Sequence, residues 1–321
     1  MTYTAGSTIV ATDYNGFVND TAGANVNGIW ATGATDKGWG QTAISTVAAT
    51  NTITAAQWAS LVNILSIMGS QTNTALTSRS APTAGTTISI LSALNTDLTN
   101  CTTNRGNAAG LGSQYTGWTG TNSQTANWAG VVLTFTNTVT FPSAAAARYF
   151  WNAGGLVKIQ VSKTSTGNTG DAEWNDLANT LCGAIWISGR VNGAAQTIAG
   201  TSYSGTKKIG GTGTPDTLAT TTGWYDLTAG GGATLVYKQF ADTAPYTANY
   251  IKHTIAKNFG ATTLTIQTQW SNGEGDTVSG GTAASGATPG TAPCTIVTYY
   301  PPSTTYLTNS WGTPTVGATT A

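Results

Sequence analysis

Charge is what this chain has least of. Lysine and arginine number 12, aspartate and glutamate 12, and histidine occurs once in 321 residues, so 7% of the chain is charged, against about 25% in ordinary globular domains. Most enzymes draw their acids, bases, metal ligands and anion clamps from Asp, Glu, His, Lys, Arg and Cys, and few of these are available here. The formal net charge is zero, which argues against nucleic acid as a partner, because neutralising phosphates needs a basic footprint. The adjacent pair Lys207-Lys208 reads as a solvated loop. Cysteine is equally sparse. Cys101, Cys182 and Cys294 lie far apart and form no CxxC, so no zinc or redox motif is signalled and buried free thiols are expected. No run of hydrophobic residues is long enough for a bilayer; Trp58 to Gly69 is the longest mostly apolar stretch. Met1 to Thr4 carries neither a basic nor an apolar run, so no secretory leader and a cytoplasmic site of assembly are expected.

Glycine (40) and threonine (65) fill the space that charge leaves, and Trp (11) and Tyr (12) supply large apolar area with a polar handle. Disordered chains lack aromatics and β-branched residues, so this composition is that of a folded protein. Threonine suits a pleated surface, and glycine and asparagine suit the turns between strands. A neutral monomer of this size tends to associate. The composition therefore fits a rigid part whose surface is covered by copies or neighbours, in a symmetric homo-oligomer such as a trimer.

Residues 1–53 are rich in Gly, Asn and Thr and read as loop and short strand. A helix is predicted next. Thr54 and Gln57 have capping-box spacing, and Trp58, Leu61, Val62, Leu65 and Met68 recur on one helical face. Beyond Ser80-Ala81-Pro82 a second helix carries Ile88, Leu91, Leu94, Asn95 and Leu98, which completes a helical hairpin. Residues 106–128 read as a linker. From Val131 to Phe141 the pattern alternates as in a strand. Ser143 caps a short helix over Ala144 to Trp151, which Gly154-Gly155 ends. Leu156 to Lys163 alternates again, and Asp171 to Leu181 is amphipathic. Strands are predicted near 184–188, 233–240, 249–257, 261–270 and 294–300, with Asn258-Phe259-Gly260 as a hairpin turn. The tail after Pro301-Pro302 reads as extended and unpaired. The fold class is α+β, mainly β. A C-terminal β-sandwich with two short helices (129–321) follows a small module with a helical hairpin and aromatic loops (1–125).

Candidate chemistry is thin. His253 shares a strand face with Ile251 and Ile255 and reads as core or interface. Asn272-Gly273-Glu274-Gly275-Asp276 places two carboxylates in a Gly-rich loop but lacks the twelve-residue spacing of an EF-hand. Asp171, Glu173 and Asp176 are the densest acidic group and lie in the first turns of a predicted helix, where the dipole favours them. Gly210 to Gly213 and Gly230 to Gly232 lack the Lys-Ser/Thr of a phosphate loop. No catalytic, cofactor or metal site is assigned. Trp118, Trp128, Trp224 and Trp311 lie in Gly/Thr-rich context and are a candidate platform for stacking on glycan rings. Trp58, Leu61, Leu65, Met68, Leu91 and Leu94 form a candidate assembly face, since two short helices alone bury too little to stand free.

Three stretches carry a resemblance. They are Asp13-Tyr14-Asn15 with Gly38-Trp39-Gly40-Gln41; Ile53 to Trp58 opening a helix; and Phe141-Pro142-Ser143 through Arg148-Tyr149-Phe150-Trp151-Asn152-Ala153-Gly154-Gly155, followed by Leu156 to Val161 and Ala172 to Leu177. In these the chain resembles the virion structural proteins of T4-like cyanophages and related marine tailed phages, departing at Trp39, where the family usually has tyrosine. The resemblance spans both halves. It implies a non-enzymatic bacteriophage structural protein, located in the virion and assembled in the host cytoplasm with other virion proteins. A tail or neck fibre or its adaptor is expected, with residues 1–125 attaching it to the particle. A capsid decoration or tail-associated protein is the alternative. From another class, the alternative is a glycan-binding adhesin at the host surface. No membrane insertion is expected.

Overall fold

The computed structural model describes residues 9–19, 24–33, 37–85, 88, 93–115, 120–123, 132–164, 169–190, 193–224, 231–257, 262–273, 277–278, 281–282 and 294–320. The described chain opens with two helices, α1 (Ala11–Asn19) and α2 (Val26–Trp30). This corrects the reading of 1–53 as loop and short strand. Tyr14, Phe17 and Val18 form the buried face of α1. Asn25 caps α2 by accepting from Gly28 N at 2.6 Å. Asn15 and Asn27 then clamp the extended segment that follows: each side-chain amide donates to one backbone carbonyl and accepts from the same residue's N–H, at Val47 and Ile44.

α3 (Ala55–Thr72) forms where the periodicity puts it. Thr54 Oγ1 accepts from Gln57 N, and Gln57 Oε1 accepts from Thr54 N at 2.8 Å. Asn73 ends the helix with φ 53°. α4 (Leu94–Asn104) begins later than predicted. Ile88 lies outside it, and Leu91 is outside the described residues.

The remaining elements are strands with two helices. In chain order they are β1 (Gly120–Ser123), β2 (Val132–Thr140), α5 (Ala144–Asn152), β3 (Leu156–Ser162) and α6 (Thr169–Asp176), which runs into a π-helical turn over Leu177–Leu181. Then come β4 (Ala184–Ser188), β5 (Gln196–Ile198), β6 (Thr201–Tyr203), β7 (Thr206–Ile209), β8 (Thr217–Leu218), β9 (Gly231–Phe240), β10 (Tyr250–Lys257) and β11 (Thr263–Ser271). The last are β12 (Thr277–Val278), β13 (Gly281–Thr282), β14 (Cys294–Tyr300) and β15 (Thr315–Thr320). Ser143 caps α5 as expected, its side chain accepting from Ala146 N at 3.0 Å. The predicted turn at 258–260 is outside the described residues, but β10 and β11 do pair antiparallel.

The strands build two large antiparallel sheets, ordered β1-β14-β3-β4-β7 and β15-β2-β11-β10-β9-β8, and two small pairs, β5-β6 and β12-β13. The fold is thus mainly β with helices added. β1 neighbours β2 and β15, and β7 neighbours β8, so the two sheets approach one another along both long edges. Alternation decides what lies between them. Val157, Ile159, Ile185 and Val297 from one sheet share a core with Phe135, Ile251, Ile266 and Trp270 from the other. The π-helical turn touches β3, β9 and β10, and Trp174 packs on Trp270 with ring centroids 5.8 Å apart.

Two expectations about boundaries change. β1 lies inside 1–125 yet is an edge strand of the sandwich, paired with β14. The helices also share the sandwich's core cluster, so 1–125 and 129–321 are joined by one hydrophobic interior. The tail is not unpaired either. After Pro302, residues 315–320 form β15 and pair antiparallel with β2. Pro302 itself forms an isolated antiparallel bridge with Leu111, and Pro301 O accepts from Gly112 N at 2.9 Å, so the prolines do not bar pairing; a regular ladder resumes at Thr315.

The seam between the helices and the sandwich is a set of buried amides. Gln41 Nε2 donates to Trp39 O (3.1 Å) and Thr308 O (3.0 Å), while its Oε1 accepts from Thr308 N (2.9 Å) and Thr308 Oγ1 (2.7 Å). Gln71 Nε2 donates to Ala153 O, and Asn152 Nδ2 to Gly38 O. Gly38 and Gly40 are required here. Their φ values are +90° and +69°, and a Cβ would lie 2.2 Å from Thr32 O and 2.4 Å from the Tyr149 ring respectively.

Candidate functional site

The candidate assembly face is internal. Trp58, Leu61, Leu65, Met68 and Leu94 are all buried in the chain's own core. Tyr14 of α1 meets the Trp58 ring edge-on at 5.3 Å, Phe17 lies 6.2 Å from it, and α4 covers α3 from another side. The described part of the apolar stripe is covered by α1, α2 and α4 of the same chain.

The tryptophan platform does not hold as a set. Trp224 and Trp311 are each 1% exposed and cannot offer a ring face to a sugar. Trp118 and Trp128 lie outside the described residues.

His253 is in the sandwich interior. Its Nδ1 is 3.0 Å from Thr268 Oγ1, and its ring lies over Tyr237 at 5.3 Å. Burial pushes its pKa down to about 3, so it is a neutral polar core residue across the physiological range. Cys101 and Cys182 are buried free thiols, each with its pKa pushed up to about 12 by burial. The Cys294 side chain is outside the described residues. These thiols are unreactive as nucleophiles.

The acidic group gains a member that sequence could not supply. Asp242 joins Glu173 and Asp176, with one carboxylate oxygen from each within 4.8 Å of the others. The Asp171 side chain, Glu274 and Asp276 are outside the described residues. Desolvation raises the Glu173 pKa, and the charges of Asp176 and Asp242 raise it further. Oxygen donors of this kind suit a hard cation, and these three are the residues that could hold one. Two clefts open on the helical side, of about 540 Å³ beside the 73–79 loop and about 450 Å³ between Trp30, Ile44 and Ile64. Neither is lined by a carboxylate, histidine or cysteine among the described residues.

The sequence reading missed the placement of the lysines. The described strands contain Lys158, Lys207, Lys208, Lys238, Lys252 and Lys257 and no aspartate or glutamate. On the outer face of the five-stranded sheet, Lys158 Nζ lies 5.8 Å from the Trp186 ring and 5.9 Å from the Tyr300 ring, and Lys207 Nζ lies 5.4 Å from Tyr203. On the outer face of the six-stranded sheet, Lys238 and Lys252 are direct cross-strand partners. Lys238 Nζ is 4.1 Å from the Phe240 ring and 4.3 Å from the Tyr250 ring. Phases along β9 and β10 could have placed both lysines outward. Their opposition depends on register, which one strand's sequence does not carry.

Compared with protein-family models, curated proteins and solved structures, the chain matches none. Among the described residues, no helix is long and apolar enough to cross a membrane.

Proposed function

We propose that the chain is a non-enzymatic structural component of a tailed-phage virion, built into a tail or neck fibre or its adaptor as a homo-oligomer. One observation supports this most. The outer face of β15, β2 and β11 is a neutral array. Thr134, Thr136, Thr138 and Thr140 stand on β2, with Thr263 and Thr265 of β11 opposite Thr140 and Thr138. Thr315 of β15 also pairs with Thr140. The β2 and β11 members are half-buried already, and no charged residue interrupts them. Interface cores are depleted of charge, and short hydroxyls cost little side-chain entropy to bury. The assembly surface thus moves from the helical face, which the chain covers itself, to the sandwich.

Light scattering on the purified chain tests the reading. The expected result is a trimer burying more than about 2,000 Å² per protomer, the scale of an obligate interface. Thr138→Lys and Thr263→Glu should each dissociate it, because an uncompensated charge would enter the interface core. A soluble monomer at micromolar concentration would sink the proposal.

A further inference from the structure

We propose that the outer face of β9 and β10 binds an acidic polysaccharide, its carboxylate or sulfate groups held between Lys238 and Lys252. These lysines are aligned directly opposite one another, an arrangement of like charges that destabilises a sheet. Among the described residues neither ammonium reaches a carboxylate; the ion pair between Arg79 and Asp97 belongs to the helical part. Because no described strand carries an acid, no acidic strand residue offsets the pair. An anion bridging the two would turn the repulsion into two charge-assisted hydrogen bonds.

The neighbours fit a sugar. Phe240 and Tyr250 are the adjacent cross-strand pair, with ring centroids 5.5 Å apart at 70°. They hold the Lys238 ammonium over their faces, and Tyr250 lies 5.9 Å from Lys252 Nζ. Cation–π contact fixes the long side chains beforehand, which lowers the ordering cost of binding. Across the sheet from Lys252 the same row continues through Gln269 of β11 and Thr134 of β2. Strand spacing makes this a line of about 14 Å with two cations, an amide and a hydroxyl, flanked by aromatic carbon. An acidic glycan offers the matching groups: an anion, hydroxyls and apolar ring faces.

Other polyanions fit less well. β9 and β10 are paired on both sides, so an acidic peptide cannot add as a strand there. Nucleic acid would need a longer cationic track than two lysines on a chain of zero net charge. The cationic pair itself lies on β9 and β10, outside the proposed assembly strands β15, β2 and β11; only Gln269 and Thr134, at the end of the row, fall within them, so binding at the lysines can be tested apart from assembly.

Calorimetric titration of the full chain with oligogalacturonate and with dextran sulfate tests this, with neutral dextran, single-stranded DNA and polyglutamate as comparisons. At least one of the two acidic glycans should bind, more weakly at higher salt. Lys238→Ala and Lys252→Ala should each weaken binding about tenfold or more, the weight of one charge-assisted hydrogen bond. Lys238→Arg should retain it, and Lys158→Ala, on the other sheet, should leave it unchanged. Without ligand, Lys238→Gln should melt higher than the parent, since the repulsion is gone. The proposal is overturned if neither acidic glycan binds, if the two alanine variants bind as the parent does, or if dextran, DNA or polyglutamate binds as tightly. A lower melting point for Lys238→Gln would remove its premise.

Discussion

Acidification should weaken the sandwich through one residue, His253. The side chain is 1% exposed, with Thr268 Oγ1 at 3.0 Å from Nδ1 and the Tyr237 ring stacked at 5.3 Å. Burial lowers its pKa from 6.5 to about 3. The native state therefore keeps the imidazole neutral, while the unfolded chain takes up a proton below pH 6.5. Stability is complete above pH 6.5 and is lost as the pH falls from there toward 3. Each pH unit in that window removes about 1.4 kcal/mol, so about 3 kcal/mol is gone at pH 4. That is a large part of the roughly 5–15 kcal/mol that holds a typical domain together. Urea unfolding at pH 7, 6, 5 and 4 measures it, with His253→Gln as the variant that cannot titrate. Gln changes the stability at every pH by a constant, whereas the histidine adds a slope. The gap between parent and variant should close, or reverse in the variant's favour, by about 3 kcal/mol between pH 7 and 4 with m unchanged. Parallel stability curves for the two proteins would refute the reasoning, because the histidine would then titrate alike in both states.

Glu173→Gln should raise the melting temperature at pH 7. The Glu173 pKa is raised by desolvation and then by Asp176 and Asp242, so its ionised form works against the fold above the ordinary carboxylate pKa, and the gain should vanish by pH 4. A variant that melts lower at pH 7 would contradict this. Gln41→Ala should cost about 3 kcal/mol in urea unfolding, because it strands the Thr308 N–H and carbonyl at a buried seam; a loss under about 0.5 kcal/mol would show that the seam carries little. Arg79→Met should cost about 3–5 kcal/mol by leaving Asp97 charged and buried, since the pair's side chains are only 6% and 5% exposed. Adding Asp97→Leu should recover part of that loss, and a double variant worse than the sum of its singles would count against the pairing.

Elements whose burial is decided locally were readable from sequence. β2 and β10 alternate because one face meets the core and the other does not, and β3 and β11 do so apart from buried neighbours at one end, Leu156-Val157 and Trp270-Ser271. Ser143 and Thr54 announce helix starts because their caps are made within three residues. α1 and α2 were missed because their apolar residues are few and set among Gly and Asn, and because the clamps that fix them, Asn15 to Val47 and Asn27 to Ile44, span 32 and 17 residues. β15 was missed because Pro301 and Pro302 mark only the end of β14. Pairing resumes at Thr315 opposite Thr140, through contacts more than half the chain away in sequence.

The misplaced assembly face has a different cause. An amphipathic stripe such as Trp58, Leu61, Leu65 and Met68 states that a surface will be covered; it says nothing about which chain covers it. Low charge biased the choice toward another subunit, yet Tyr14 and Phe17 supply the cover from α1. The same low charge has a second consequence once strand register is known. With six lysines and no acid in the described strands, the twelve carboxylates all fall on helices, loops and undescribed residues. Zero net charge thus hides a segregation in which the sheet faces are neutral or positive and the acids lie elsewhere. A composition total cancels the two, whereas a partner meets only one face at a time. The neutral half, β15-β2-β11, suits a copy of the chain, and the half with Lys238 and Lys252 suits an anion. The two surfaces adjoin at Gln269 and Thr134, so an anion held by the lysines leaves most of β15-β2-β11 open to a copy of the chain.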